Sequence, residues 1–310
     1  MGAKKIIFMG EKPLGLKCLK LIEHLSDTSL LGVCTRSRKD VWWGNHEILD
    51  YCETKNIPVI PRSQILNLSV DYLISVLYPF IIEDKYIQHV REKCINLHEA
   101  PLPRWRGCNG YSHAIISGDK EYGTTLHEMA AELDAGMIIA NKKFPIMPDE
   151  TAKELYERTS EESYKLAQLW FPKIIQNEYK PYVPYNTEAS FLNQRYSLAR
   201  LKELDIQAPM VDVFHRVRAL DFVPWEPAYM FTGNKKFYFF ISGSPGRENI
   251  EKWHENIQIL QVSCLGDIDF GSIDVGIITN LPRSMYIFES KVYKNNFQLI
   301  GEKVNSNDTV

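Results

Sequence analysis

Apolar positions in the first half of the chain fall into short runs that alternate with helically spaced segments. Residues 5–9 (KIIFM) form a compact apolar run. A Gly/Pro-containing loop (Gly10 to Gly15) follows, then Leu16, Leu19, Leu21 and Ile22 at helical spacing. Residues 30–34 read as a second strand, 46–55 as a helix, 57–60 as a short extended piece and 71–77 as a buried strand. Residues 83–92 read as a helix, 94–97 as a strand, and 108–117 as a helix entered after a glycine. This β-α-β-α rhythm predicts a parallel sheet covered by helices.

Beyond Glu121 the pattern changes. Residues 124–129 and 137–144 read as extended, and a charged amphipathic helix spans 151–177, with Thr151 and Glu154 spaced as a capping box. Residues 178–187 (EYKPYVPYNT) carry two prolines and no helical period, which marks a connector. Helical stretches at 198–204 and 211–220 precede strand-like runs at 228–231, 237–241, 257–262, 275–279 and 284–288, with a turn at Gly233-Asn234. The organisation expected is a catalytic α/β domain over 1–180, a linker over 181–208 and a small β-rich domain over 209–310.

Composition narrows the class. Hydrophobic residues make up 45% of the 310 and aromatics 12%, enough to build a core and to exclude a disordered chain. Thirty-six basic against 39 acidic side chains leave a net charge of −3, with no bulk attraction to nucleic acid or to an anionic membrane. No apolar run nears the roughly 20 residues of a membrane span. The apolar stretch at the N-terminus is shorter than the roughly 7–15 residues of a signal-peptide core. The six cysteines (Cys18, Cys34, Cys52, Cys94, Cys108, Cys264) show neither C-x-x-C nor clustered Cys/His spacing, so they read as reduced thiols. A soluble cytoplasmic protein without a metal site is expected.

Two local motifs fail on inspection. Gly10-Glu11-Lys12-Pro13-Leu14-Gly15 fits neither phosphate-loop pattern and reads as a tight strand-to-helix turn. His127-Glu128 begins like a zinc-protease helix, but position 131 is Ala and the second histidine is missing. The segment around Asn96 is different. Asn96 and His98 stand two apart at a strand end, so their side chains leave the same face where open α/β sheets place ligands. A proline-rich turn follows at once.

The run Asn96-Leu97-His98-Glu99-Ala100-Pro101-Leu102-Pro103-Arg104-Trp105-Arg106-Gly107, with Leu133-Asp134-Ala135-Gly136 further on, resembles the N10-formyltetrahydrofolate-dependent formyltransferases. The resemblance covers most of residues 1–180 and reappears at 218–231 (RALDFVPWEPAYMF). It implies a Rossmann-like catalytic domain, then a smaller β-rich, OB-like domain. It also implies a catalytic triad of Asn96, His98 and Asp134. A neutral amine must attack the formyl carbon, lose a proton and pass through an oxyanion. His98 suits proton acceptance, and Asn96 suits donation to the oxyanion, typically worth about 2.7–4 kcal/mol per donor. Asp134 would orient His98. As a bare sequence feature, Asp134 also reads as a turn acid before Gly136.

By the same resemblance, N10-formyltetrahydrofolate is the donor. Its pterin pocket falls on Tyr78, Phe80, Ile81, Leu102, Pro103 and Leu133, with Ala100 and Pro101 departing from the family's S-L-L-P turn. The extra β-rich domain argues against a glycinamide-ribonucleotide enzyme. For methionyl-tRNA formyltransferase, the alternative, the region 35–46 is short and ends in aromatics where that enzyme carries a long basic insertion. The variants HEAPLP and RGCNGYSHAI look more like enzymes acting on nucleotide-linked amino sugars in surface-polysaccharide (O-antigen) pathways. There Trp225, Tyr229 and Phe231 are candidates to hold the nucleotide, although such aromatics also suit the filling of a small β core. The expected partners are folate and a nucleotide sugar (dTDP first, UDP or GDP open), with neither nucleic acid nor membrane. A homodimer is left open.

Overall fold

The computed structural model describes residues 2–37, 46–184, 191–194, 196–205, 208–222, 225–232, 235–241, 260–262, 285–293 and 296–300. Along the chain come β1 (Lys4–Gly10), α1 (Lys12–Glu23), β2 (Thr28–Cys34), α2 (Glu47–Lys55), β3 (Tyr72–Val76), α3 (Asp84–His89) and β4 (Lys93–His98). Then follow β5 (Trp105–Gly107), α4 (Gly110–Ile116), β6 (Glu121–Glu128), β7 (Ile138–Pro145), α5 (Ala152–Ile175), β8 (Phe191–Asn193) and α6 (Met210–Leu220). The last strands are β9 (Ala228–Thr232), β10 (Lys235–Ile241), β11 (Leu260–Val262), β12 (Met285–Tyr293) and β13 (Asn296–Ile300).

These elements divide into two compact units. The first holds Met1–Cys108, Tyr122–Phe144 and Arg158–Asn193; the second holds Asn109–Glu121, Pro145–Glu157 and Gln194–Val310. The first unit is built on a six-stranded sheet of order β2-β1-β3-β4-β6-β7. Strands β2, β1, β3 and β4 are parallel, as the alternating rhythm predicts. Strand β6 runs antiparallel to β4, so the sheet is mixed rather than all parallel. An apolar run encodes the faces of a strand and not its direction, which is why the sequence pattern missed this reversal.

Both faces of the sheet are covered, which accounts for the near-continuous apolar character of β1 and β3. Ile6 and Phe8 join Leu14 and Leu19 of α1 and Phe171 of α5 in one core, while Ile7 and Met9 join Leu73, Tyr86 and Cys94 in another. Extended residues after α2 bridge back to the sheet at Val33 and Val59. Tyr182, in the Pro-containing stretch read as a connector, exchanges two 2.9 Å backbone hydrogen bonds with Ile138. Residues 191–193 form β8, which pairs in parallel with β5.

In the second unit, Thr151 caps α5 as its spacing predicts. Its N–H donates to Glu154 Oε2 at 2.9 Å, and the Glu154 N–H donates to Thr151 Oγ1 at 3.3 Å. Strands β9, β10, β11, β12 and β13 form an antiparallel sheet in which β12 takes β10, β11 and β13 as partners. Val213, Phe214 and Val217 of α6 share a core with Ala228, Met230 and Ile241. The expected turn at 233–234, the strand at 275–279, the first half (257–259) of 257–262 and most of the 35–46 loop lie outside the described residues.

Candidate active site

The C-terminal end of β4 sets the site. Register places Asn96 opposite His127 of β6 and His98 opposite Thr125. The turn after β4 is pinned from β6: Thr124 Oγ1 donates to the His98 carbonyl at 3.1 Å, Thr125 Oγ1 to the Ala100 carbonyl at 2.8 Å, and the Leu102 N–H to Thr125 Oγ1 at 3.1 Å. Asn96 and His98 therefore stand on a strand fixed along its flank, with little freedom to drift.

His127, rejected above as a zinc ligand, lies on a strand and not on a helix, and it meets the other residues of the site. Its Nδ1 is 2.8 Å from the Glu128 carbonyl, an acceptor only, so Nδ1 carries the proton. The ring is buried, and burial beside His98 pushes its pKa down to about 4 despite the opposing pull of Asp134. At neutral pH it is uncharged, with a bare Nε2 that lies 3.1 Å from Asn96 Nδ2. That acceptor dictates which end of the Asn96 amide is nitrogen. One N–H goes to His127, and the second remains for another acceptor.

Asp134 sits in a left-handed conformation (φ 51°) in the turn between β6 and β7. Gly136 lets that turn close. A side chain there would put Cβ 1.8 Å from the Glu128 carbonyl oxygen, which no other residue permits. Asp134 Oδ2 accepts the Gly107 N–H at 2.8 Å and lies 3.7 Å from His98 Nδ1, while Oδ1 lies 3.8 Å from His127 Nε2. The structure thus brings Asn96, His98 and Asp134 together, with His127 as a fourth member. Nothing in the local spacing of T-T-L-H-E signals that role; strand register alone creates it.

His98 Nε2 is 3.0 Å from the Trp105 carbonyl. That carbonyl takes an N–H from Nε2, leaving the lone pair of a neutral ring at Nδ1, facing Asp134. Protonation at Nδ1 turns a lone-pair–carboxylate repulsion into an ion pair, so the arrangement is built to receive a proton there. Glu99, the next residue, is 5% exposed, and burial holds its carboxyl above the usual range against the opposing charge of Lys12.

Residues 60–169 match the formyl transferase family. Over this segment the chain is similar to that family. Over 108 residues it is 37% identical to a phosphoribosylglycinamide formyltransferase of Haemophilus influenzae, covering 34% of this chain and about half (51%) of the relative's length. A methionyl-tRNA formyltransferase of Myxococcus xanthus is 27% identical over 248 residues, 76% of this chain and 78% of that one. An N-formyltransferase from Helicobacter canadensis, solved in complex with folinic acid and dTDP-3-aminofucose, superposes with a TM-score of 0.67 over 91% of this chain and 98% of its own, at 18% identity.

Within the six-stranded sheet, Tyr78, Phe80 and Ile81 follow β3, whose end pairs with β4 at Ser75–Asn96 and Val76–Leu97. Phe80 and Ile81 are exposed at 49% and 70%, and Leu133 at 41%, so apolar surface is left open around the strand ends. Arg36 and Arg62 lie over the Phe80 ring at 6.0 and 5.8 Å, and Tyr78 meets it edge-on at 5.5 Å. Leu102 is buried in the pinned turn, with Pro103 half-buried beside it. In the second unit, Tyr229 and Phe231 share one face of β9 with ring centroids 5.6 Å apart, and Trp225 is 58% exposed. Their neighbour Phe222 instead packs with Tyr111 and Tyr156.

Proposed function

We propose that this formyltransferase moves a formyl group from N10-formyltetrahydrofolate to the amine of a nucleotide-linked amino-deoxy sugar, dTDP-linked in the first instance, in cytoplasmic surface-polysaccharide biosynthesis. The observation that carries the reading is the convergence of Asn96, His98 and Asp134 at one strand end. The donor, when bound, supplies an activated formyl carbon. Exposed Phe80, Ile81 and Leu133, with Tyr78, Leu102 and Pro103, give a flat heterocycle the apolar surface it needs. Asn96 directs its second N–H at the formyl oxygen as negative charge develops there. His98 takes the amine's proton at Nδ1, and Asp134 stabilises the cation so formed.

The nucleotide reading is supported by Trp225, Tyr229 and Phe231 and by the ligands of the Helicobacter canadensis protein. In this reading residues 1–180 form the catalytic domain, 181–208 the linker, and 209–310 an OB-like β-rich domain. The span of the Myxococcus xanthus relative keeps methionyl-tRNA as a second acceptor. A side-by-side assay decides between them: formyl transfer to a dTDP-amino sugar and to Met-tRNA, with His98→Ala as the blank. Transfer to the sugar is expected to dominate and to vanish in His98→Ala. Trp225→Ala should raise KM for the nucleotide sugar at least about 5-fold without changing KM for folate. Transfer to Met-tRNA alone would overturn the sugar reading.

A further inference from the structure

The three residues of β5 each hold a different part of the site. The Trp105 carbonyl meets His98 Nε2 at 3.0 Å, and the Gly107 N–H donates to Asp134 Oδ2 at 2.8 Å. Between them, Arg106 reaches the residues just before Asp134. Its Nε donates to the Leu133 carbonyl at 2.8 Å, a second guanidinium N–H goes to the same oxygen, and the guanidinium pairs with Glu132 at 2.7 Å. The Arg106 side chain is 12% exposed and that of Glu132 72%.

The segment is braced from its other side. Strand β8 pairs with it in the register Trp105–Phe191, Arg106–Leu192 and Gly107–Asn193. The Cys108 N–H donates to the Asn193 carbonyl at 2.9 Å. Gly107 adopts φ +83°, and a Cβ there would lie 2.3 Å from that carbonyl oxygen, so the two backbones touch.

Resting on the triad reading above, we infer that Arg106 is a positioning residue. Its guanidinium fixes the Leu133–Asp134 peptide, which holds Asp134 in its left-handed conformation with Oδ2 between the Gly107 N–H and His98 Nδ1. The physical reason is the φ of Asp134. A non-glycine residue in this region is held there by its surroundings, and a two-pronged donor on the preceding carbonyl oxygen restricts rotation of that peptide plane. Without it, Asp134 relaxes toward negative φ and its carboxylate swings away from His98. Arg106 touches no reacting atom in this account and acts through Asp134 alone.

The test is a kinetic double-mutant cycle with a structural readout. Arg106→Met should lower kcat at least about 10-fold while KM for folate and acceptor stays within about 3-fold. Arg106→Lys, which keeps one donor for the Leu133 carbonyl, should recover part of the loss. In an Asp134→Asn background, Arg106→Met should cost nothing more, because both changes remove one function. Independently of activity, the Gly107 amide proton, deshielded by its carboxylate acceptor, should move upfield in Arg106→Met nearly as far as in Asp134→Asn. Additive losses in the cycle, or an unmoved Gly107 amide, would overturn the positioning role. A wild type that transfers no formyl group, with the Gly107 amide behaving as expected, would sink the functional reading and leave the positioning intact.

Discussion

Asp134→Asn isolates charge from shape. Oδ2 lies 3.7 Å from His98 Nδ1, both side chains being mostly buried (8% and 14% exposed). Two unit charges at that separation interact by about 2–4 kcal/mol for an effective dielectric constant of about 20–40. The ion pair exists only when His98 has taken a proton, so its loss falls on the transition state. At about 1.4 kcal/mol per decade, kcat should drop roughly 30- to 1,000-fold. Asparagine keeps an oxygen for the Gly107 N–H and tolerates the left-handed backbone at φ 51°, so unfolding free energy should change by no more than about 1 kcal/mol. Steady-state transfer rates over pH, with thermal melts of both proteins, test this. A wild-type rate in the variant would reduce Asp134 to a turn residue. A rate loss matched by a collapsed melting temperature would point to folding instead of electrostatics.

Two further predictions concern buried groups beside the triad. His127 has its pKa depressed to about 4, so the unfolded chain binds more protons between pH 4 and 6.5. Its contribution is fully present above about pH 6.5 and is lost as pH falls, a slope worth about 3 kcal/mol that should be missing from the denaturation-versus-pH curve of His127→Leu. The same variant removes the acceptor that orients Asn96 and should lower kcat about 10-fold; an unchanged rate would show that Asn96 orients itself. Glu99 has the opposite sign: its folded pKa is raised, so ionisation above the normal carboxylate range opposes folding. Glu99→Gln should therefore melt higher than wild type at pH 7–8 and equally at pH below about 4; a lower melting temperature at pH 8 would mean that the carboxylate is compensated in place.

The sequence determined those features that depend on near neighbours. Apolar runs and helical spacing located β1, α1, β3, β4 and α5 to within a few residues, because burial of one stripe or face is written in side-chain period. The Thr151–Glu154 cap closed as spaced, since it joins groups one helical turn apart. Asn96 and His98 were legible as a pair because alternate residues of a strand share a face. What joins distant segments was decided by tertiary structure alone. The reversal of β6 against β4 is invisible in a period, and it brings His127 opposite Asn96, thirty-one positions away. The same is true of β8, from a stretch that reads as connector, whose backbone braces β5. The tautomers of His98 and His127 follow from backbone carbonyls whose placement depends on the packed sheet and turns. Residue types state what chemistry a chain is able to do; register and turn geometry decide which atoms do it.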